Sequence, residues 1–254
     1  MRYTEAMNQV GLVHSQRPPG RPIGFQRWRD LLFLHWRLPA DVVRPLLPAS
    51  LELDLWDGDA WIGLVPFTMR DVSPWWSPSV PWISNFNELN LRTYVKGPGG
   101  AHPGVWFFSL EAARLAAVVI ARMGWSLPYF WASMRLEKEG DHVRYRSRRR
   151  GPGGNAHFVG EYTLGAPLAP PLPGSLEFFL VERYVLYAGG STGPMRLGRV
   201  HHAPYPLRAV TLGPLEESIR AASGLGSDGP PSHVVASTGV DVDIYPLEIM
   251  HAST

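Results

Sequence analysis

The chain contains no cysteine, which excludes disulfides, thiolate nucleophiles and cysteine metal sites together and gives no support for an oxidising compartment. Lysine is nearly missing too: Lys96 and Lys138 are the only two, so the basic residues are almost all arginine. No apolar run approaches the ~18 residues of a membrane-spanning helix, and Met1 to Gln16 lack the apolar block of a signal peptide. A soluble cytoplasmic protein without membrane contact is expected. The His-Glu-x-x-His, Gly-x-Ser-x-Gly, Gly-x-Gly-x-x-Gly and calcium-loop signatures are all missing, so the enzyme classes they mark lose their support and no metal or cofactor is called for. Gly189 to Gly193 looks like a phosphate loop but lacks its lysine and a clear following helix, and reads as a turn.

What is present suits one large turn-rich domain. The 254 residues carry a net charge of +2 and a pI near 9.0. The 26 glycines and 25 prolines punctuate apolar runs and form no low-complexity tract. Residues 1–24, with Pro18, Pro19, Gly20 and Pro22, read as a lead-in arm, and residues 25–254 as a single domain. Trp28 to Leu38 reads as a strand buried on both faces, with His35 a satisfied core residue. Pro39 to Pro48 predicts a short helix, and Leu51 to Leu55 a strand. Asp57-Gly58 predicts a hairpin turn that returns through Ala60 to Met69. The proline-rich loop from Asp71 to Phe86 holds Trp75, Trp76 and Trp82, which are expected to cover apolar surface, either as a mobile lid or as a packed loop.

Ser109 has the character of an N-cap, and the apolar run from Leu110 to Met123 predicts a buried helix stopped by Gly124. A hairpin, His142 to Arg148 and His157 to Thr163, carries Arg144, Arg146, Arg148, Arg149 and Arg150 at its tip. Without a wider basic surface or interleaved aromatics this run is no nucleic-acid site, and it reads as a solvated edge-strand guard. A helix is expected over Pro214 to Ala222, and a last strand through Val240, Val242 and Ile244. His201 and His202 fall on opposite strand faces, wrong for joint chelation.

The stretch from Asn87 to Val95 carries the most chemistry. As a strand it places Glu88, Asn90, Arg92 and Tyr94 on one face and Leu89, Leu91, Thr93 and Val95 on the other. At about 3.4 Å per residue, Glu88 and Arg92 lie roughly 13 Å apart and cannot pair with each other. The polar face meets either solvent or a pocket. Glu182, Arg183, Tyr184 and Tyr187 form a second polar cluster, and Arg122 and Tyr129 add a third guanidinium and another phenol.

The run from Pro39 to Asp54, the block from Glu88 to Val95, Trp106 to Leu110, Leu127-Pro128-Tyr129, Glu182-Arg183-Tyr184 and His202 to Pro206 together resemble the bacterial YqjF-like proteins, a family of unknown function. That family is similar in turn to acetoacetate decarboxylase. The resemblance implies a mainly β (α+β) fold: a closed, cone-shaped antiparallel β-barrel with a central pocket and a few helices packed outside. It implies that the Glu88 face looks inward and the leucine face lies under a helix. The decarboxylase sets its Schiff-base lysine before a Gly-Tyr-Pro turn; here the comparable stretch, Arg122 to Pro128, has none. Lys96, in a Gly/Pro turn, and Lys138, in a charged turn, are poor amine nucleophiles.

The expected function is binding of a small carboxylate or other anionic metabolite in a polar pocket, with any catalysis of acid/base, lyase type. Glu88 is the candidate acid or base. Asn90, Arg92, Tyr94, Arg122, Tyr129, Glu182, Arg183, Tyr184 and His202 are candidate ligand contacts. Two alternatives stand beside it: a non-catalytic ligand-binding or sensory module, and a purely structural set of ion pairs joining Glu88 and Arg92 to Arg183 and Glu182. The sequence leaves homo-oligomerisation open.

Overall fold

The computed structural model describes residues 15–79, 84–114, 127–151, 154–189, 193–227 and 229–250. Among them, thirteen strands join in one sheet. These are β1 (Gly24–Leu38), β2 (Glu52–Leu53), β3 (Ala60–Pro74), β4 (Phe86–Lys96), β5 (Gly104–Ala112), β6 (Tyr129–Glu139), β7 (His142–Arg149), β8 (His157–Pro167), β9 (Val185–Gly189), β10 (Met195–His202), β11 (Leu207–Glu217), β12 (His233–Ile244) and β13 (Glu248–Ile249). The helices are short: α1 (Ala40–Val43), α2 (Leu176–Val181), capped by the Ser175 hydroxyl, and α3 (Ile219–Ala222).

A barrel of nine strands closes in the order β5-β6-β7-β8-β11-β12-β1-β3-β4 and back to β5. The closed β-barrel expected from the resemblance is therefore present. Its pairing is mixed, because β5 runs parallel to both β6 and β9 while the other pairs are antiparallel. A second closure shares five of these strands. β12 pairs with β11 at Leu207↔Ser237 and, further along, with β10 at Val200↔Ile244; β5 divides its free edge between β9 and β6. The strands β12, β1, β3, β4 and β5 thus form a wall with an enclosure on each face.

Side-chain alternation fills the two enclosures differently. One face of the wall sends Leu32, Leu34, Ile62, Leu64, Leu89 and Leu91 into a core with Val143, Tyr145 and Phe158. The other sends Leu31, Phe33, Val65 and Phe67 toward Val200 and Val242. The leucine face of β4 accordingly shares its core with β7 and β8, and with Val43 of α1 and Ile219 of α3.

Several local expectations change. Ser109 to Ala112 belong to β5 and are buried throughout, so the helix predicted from Leu110 does not begin there; its continuation lies outside the described residues. A strand buried on both faces has the same unbroken apolar content as a buried helix. Pro214 to Glu217 finish β11, and only Ile219–Ala222 is helical. Pro214 is accommodated where the β11–β8 register shifts between Leu212 and Leu215. The Asp57-Gly58 turn forms, with both φ angles positive, but β2 pairs with β4 and not with β3. Trp75 and Trp76 are 63% and 71% exposed, so they stand mostly in solvent; Trp82 lies outside the described residues. β7 sits between β6 and β8, so its arginines do not guard an edge.

Candidate functional site

β4 places its side chains by simple alternation, and its register with β3 sets them in layers. Phe86 stands opposite Met69, Glu88 opposite Phe67, Asn90 opposite Val65 and Arg92 opposite Gly63. The last layer is tightly packed: a Cβ on Gly63 would meet His35 and the Tyr94 hydroxyl at 3.2 Å and the Arg92 stem at 3.4 Å. The side chains of Glu88, Asn90 and Arg92 line a cavity of ≈ 330 Å³ in the enclosure bounded by β9 and β10. Its walls are mostly apolar and aromatic, from Trp28, Leu31 and Phe33 on one side to Val105 and Phe107 on the other. Gln26, Val72 and Phe86, at the Glu88 end, are partly exposed. At the Arg92 end, Phe33, Leu180 and Tyr205 are buried.

Glu88 is 2% exposed, and its carboxyl is pushed up to about 7 by burial, against hydrogen bonds from Asn90 and Tyr129 that favour the anion. The Tyr129 hydroxyl donates to its two oxygens at 3.3 and 3.4 Å. Near neutral pH Glu88 is therefore split between acid and carboxylate, the condition that suits proton transfer. The Tyr145 hydroxyl donates to the Glu88 carbonyl at 2.8 Å and fixes the backbone from the opposite enclosure. Asn90 keeps a buried Oδ1 without a partner.

Arg92 is 9% exposed. Its guanidinium donates to the Leu180 carbonyl at 3.0 Å, at the end of α2, and its Nε has no partner. It lies 5.7 Å from the Phe33 ring. No carboxylate of the described residues pairs with it. An unpaired buried cation costs several kcal/mol unless a ligand neutralises it.

The other predicted residues divide. Tyr129 and Arg183 reach the cavity wall, but Arg183 is already paired with Asp54 at 2.8 Å and donates to the Phe179 carbonyl. Tyr94 is spent on the Leu180 carbonyl, at 2.8 Å. Glu182 accepts from the Tyr184 hydroxyl at 2.5 Å and the Tyr205 amide at 2.9 Å, so these form a buried cluster behind the wall. His202 stacks on Tyr184 at 4.6 Å, with burial lowering it to about 4. Arg122 lies outside the described residues. The proposed pairs of Glu88 and Arg92 with Arg183 and Glu182 do not form, so the purely structural reading in that form is overturned. Tyr205, on the cavity wall beside Phe33 at 5.2 Å, was not picked out from the sequence; it follows β10 in a turn and has no periodic neighbours to mark it.

Neither lysine lines the cavity. Lys96 ends β4 and pairs with Asp54 at 2.8 Å, while Lys138 lies within β6 and pairs with Asp30 at 2.7 Å; both are on strands, not in turns. No helix of the described residues is long and apolar enough to cross a membrane.

Residues 25–241 match the model of the DUF2071 family, described as "Uncharacterized conserved protein (COG2071)". "Uncharacterized protein YqjF" of Bacillus subtilis (strain 168) is 39% identical over 191 residues, covering 75% of this chain and 77% of that one. An acetoacetate decarboxylase-like enzyme from Sphingomonas wittichii RW1 superposes with a TM-score of 0.64 at 12% identity, covering 92% of this chain and 95% of that one. The enduracididine biosynthesis enzyme MppR, solved with pyruvate, gives 0.59 at 11% identity over 92% and 93%. At such identities these structures establish a shared fold.

Proposed function

This chain belongs to the DUF2071 family, and from that premise we propose that its cavity binds a small carboxylate-bearing metabolite. Arg92 is the anion-binding group and Glu88 the acid or base. The observation that carries this reading is Arg92 itself: a buried guanidinium on the cavity wall with an unused donor and no ion-pair partner among the described residues. Charge-assisted hydrogen bonds to a ligand carboxylate would supply what the fold leaves out. The pyruvate complex of MppR is a barrel of the same fold holding a small carboxylate, which supports the ligand class.

Any chemistry here moves protons and forms no imine with the protein, since both lysines are engaged away from the cavity. Tyr129 donates to Glu88 and keeps it oriented, so Glu88 can give its proton to, or take one from, a carbon or oxygen of the ligand. A binding module without turnover uses the same residues; product formation followed by mass spectrometry separates the two.

The binding test titrates short- and medium-chain carboxylates, pyruvate among them, and their methyl esters against the parent and Arg92→Gln. Acids should bind in preference to esters, and Arg92→Gln should weaken acid binding by at least about tenfold. Equal affinity of acid and ester, or of parent and variant, would sink the reading.

A further inference from the structure

The two ionisable groups that β4 sends into the cavity sit toward its two ends, with Asn90 between them. Arg92 is at the buried end, closed by Leu180 and Phe33, and Glu88 with Tyr129 is at the partly exposed end. Arg92 lies four residue steps along the strand from Glu88, roughly 13 Å between their Cα positions. The wall between them is apolar: Val65 and Phe67 face them from β3, and Leu31 and Phe33 from β1. Asn90, opposite Val65, brings a polar group with an unpartnered Oδ1 to that middle level. A two- or three-carbon acid held by Arg92 would leave the Glu88 layer empty.

We propose that the ligand is a two-ended, elongated acid. A carboxylate docks on Arg92, an apolar middle of several carbons fills the Val65 level, and a carbonyl or hydroxyl oxygen at the far end meets Glu88 and Tyr129. This rests on the anion-binding reading above and adds length, an apolar middle and a distal oxygen. The reacting atom of any catalysed step is then remote from the carboxylate, next to the Glu88 carboxyl.

Binding of unbranched acids from four to ten carbons, each with and without a terminal hydroxyl or oxo group, tests it by quenching of Trp28, which lines the cavity. Affinity should rise about fourfold per added methylene until the chain spans the cavity. At that length the oxygen-bearing acid should bind at least about tenfold more tightly than the plain acid. Glu88→Gln, which keeps a donor, should retain that preference, and Glu88→Leu should abolish it. Shape retention of both variants is checked by circular dichroism. Flat affinity along the series, or indifference to the terminal oxygen at every length, overturns the elongated ligand. Acids and methyl esters binding alike overturns the anion reading beneath it, whatever the length dependence.

Discussion

At the scale of a residue, Glu88 ties stability to pH. Its carboxyl rises from an ordinary 4.5 to about 7 on folding, chiefly through burial. Between those values the unfolded chain releases a proton that the folded chain keeps, so the folded state binds more protons and stability falls as pH rises. Below 4.5 both states are protonated and the difference vanishes; above about 7 it levels off at roughly 3 kcal/mol. Glu88→Gln should therefore become more stable than the parent by up to that amount at pH 8, and gain little at pH 4, as read by urea unfolding at each pH. On the proposed function the same proton also governs ligand affinity. An ionised Glu88 repels a bound carboxylate through low-dielectric surroundings, so acid binding should weaken above pH 7 in the parent and stay level in Glu88→Gln. Calorimetric titrations across pH 6 to 9 check this; a parallel decline in both proteins would assign the effect to another group.

At the scale of an element, two features hold the barrel together at its junctions. Gly239 lies on β12 between the segments paired with β11 and with β10, at φ 127°, and a Cβ there would stand 2.0 Å from the Trp28 carbonyl oxygen. Gly239→Ala should destabilise by at least ~3 kcal/mol, measured as a lower melting temperature or loss of soluble protein. Across the other junction, Glu111 of β5 and Arg149 of β7 form a buried pair, with Arg149 Nε donating at 3.0 Å and its guanidinium over the Phe130 ring at 3.7 Å. Removing one partner, as in Arg149→Met, should cost roughly 3 to 5 kcal/mol, and replacing both with apolar residues should restore much of it. The pair also shows why part of this fold was not readable from the chain. Arg149 looks like one more member of an exposed arginine run, and its partner is 38 residues away. The β4 strand was readable, because a period-two pattern is local. β5 was not, because burial on both faces erases the period. The partner of β2 was not, because the Asp57-Gly58 turn argues for the nearest strand while β2 pairs with β4.

At the scale of the whole molecule, the cavity and most of the leucine-rich core lie on opposite sides of the same five strands. The polar row of β4 could be read from the sequence as a face with a purpose. Which of its members stay unpartnered could not, since Tyr94 is consumed by the Leu180 carbonyl and Arg92 is only partly satisfied by it. Leu89 and Leu91 are fully buried in the enclosure opposite the cavity. Leu91→Ala should cost about 2 to 5 kcal/mol of stability and leave acid binding in the folded fraction unchanged. Asn90→Ala, one position away, should alter affinity with a much smaller loss of stability. Thermal melts paired with titrations distinguish them, and comparable binding losses in both variants would mean that the wall transmits strain between its faces.

A wall shared by two enclosures divides the work of selection. On the proposed reading, residues 88–92 alternate between positions that face the ligand and positions that face the leucine-rich core. If Asn90 and Arg92 hold the ligand as proposed, its preference can drift through them while Leu89 and Leu91 keep the scaffold intact, so a lineage built on this barrel can change what it binds without first having to re-solve its folding.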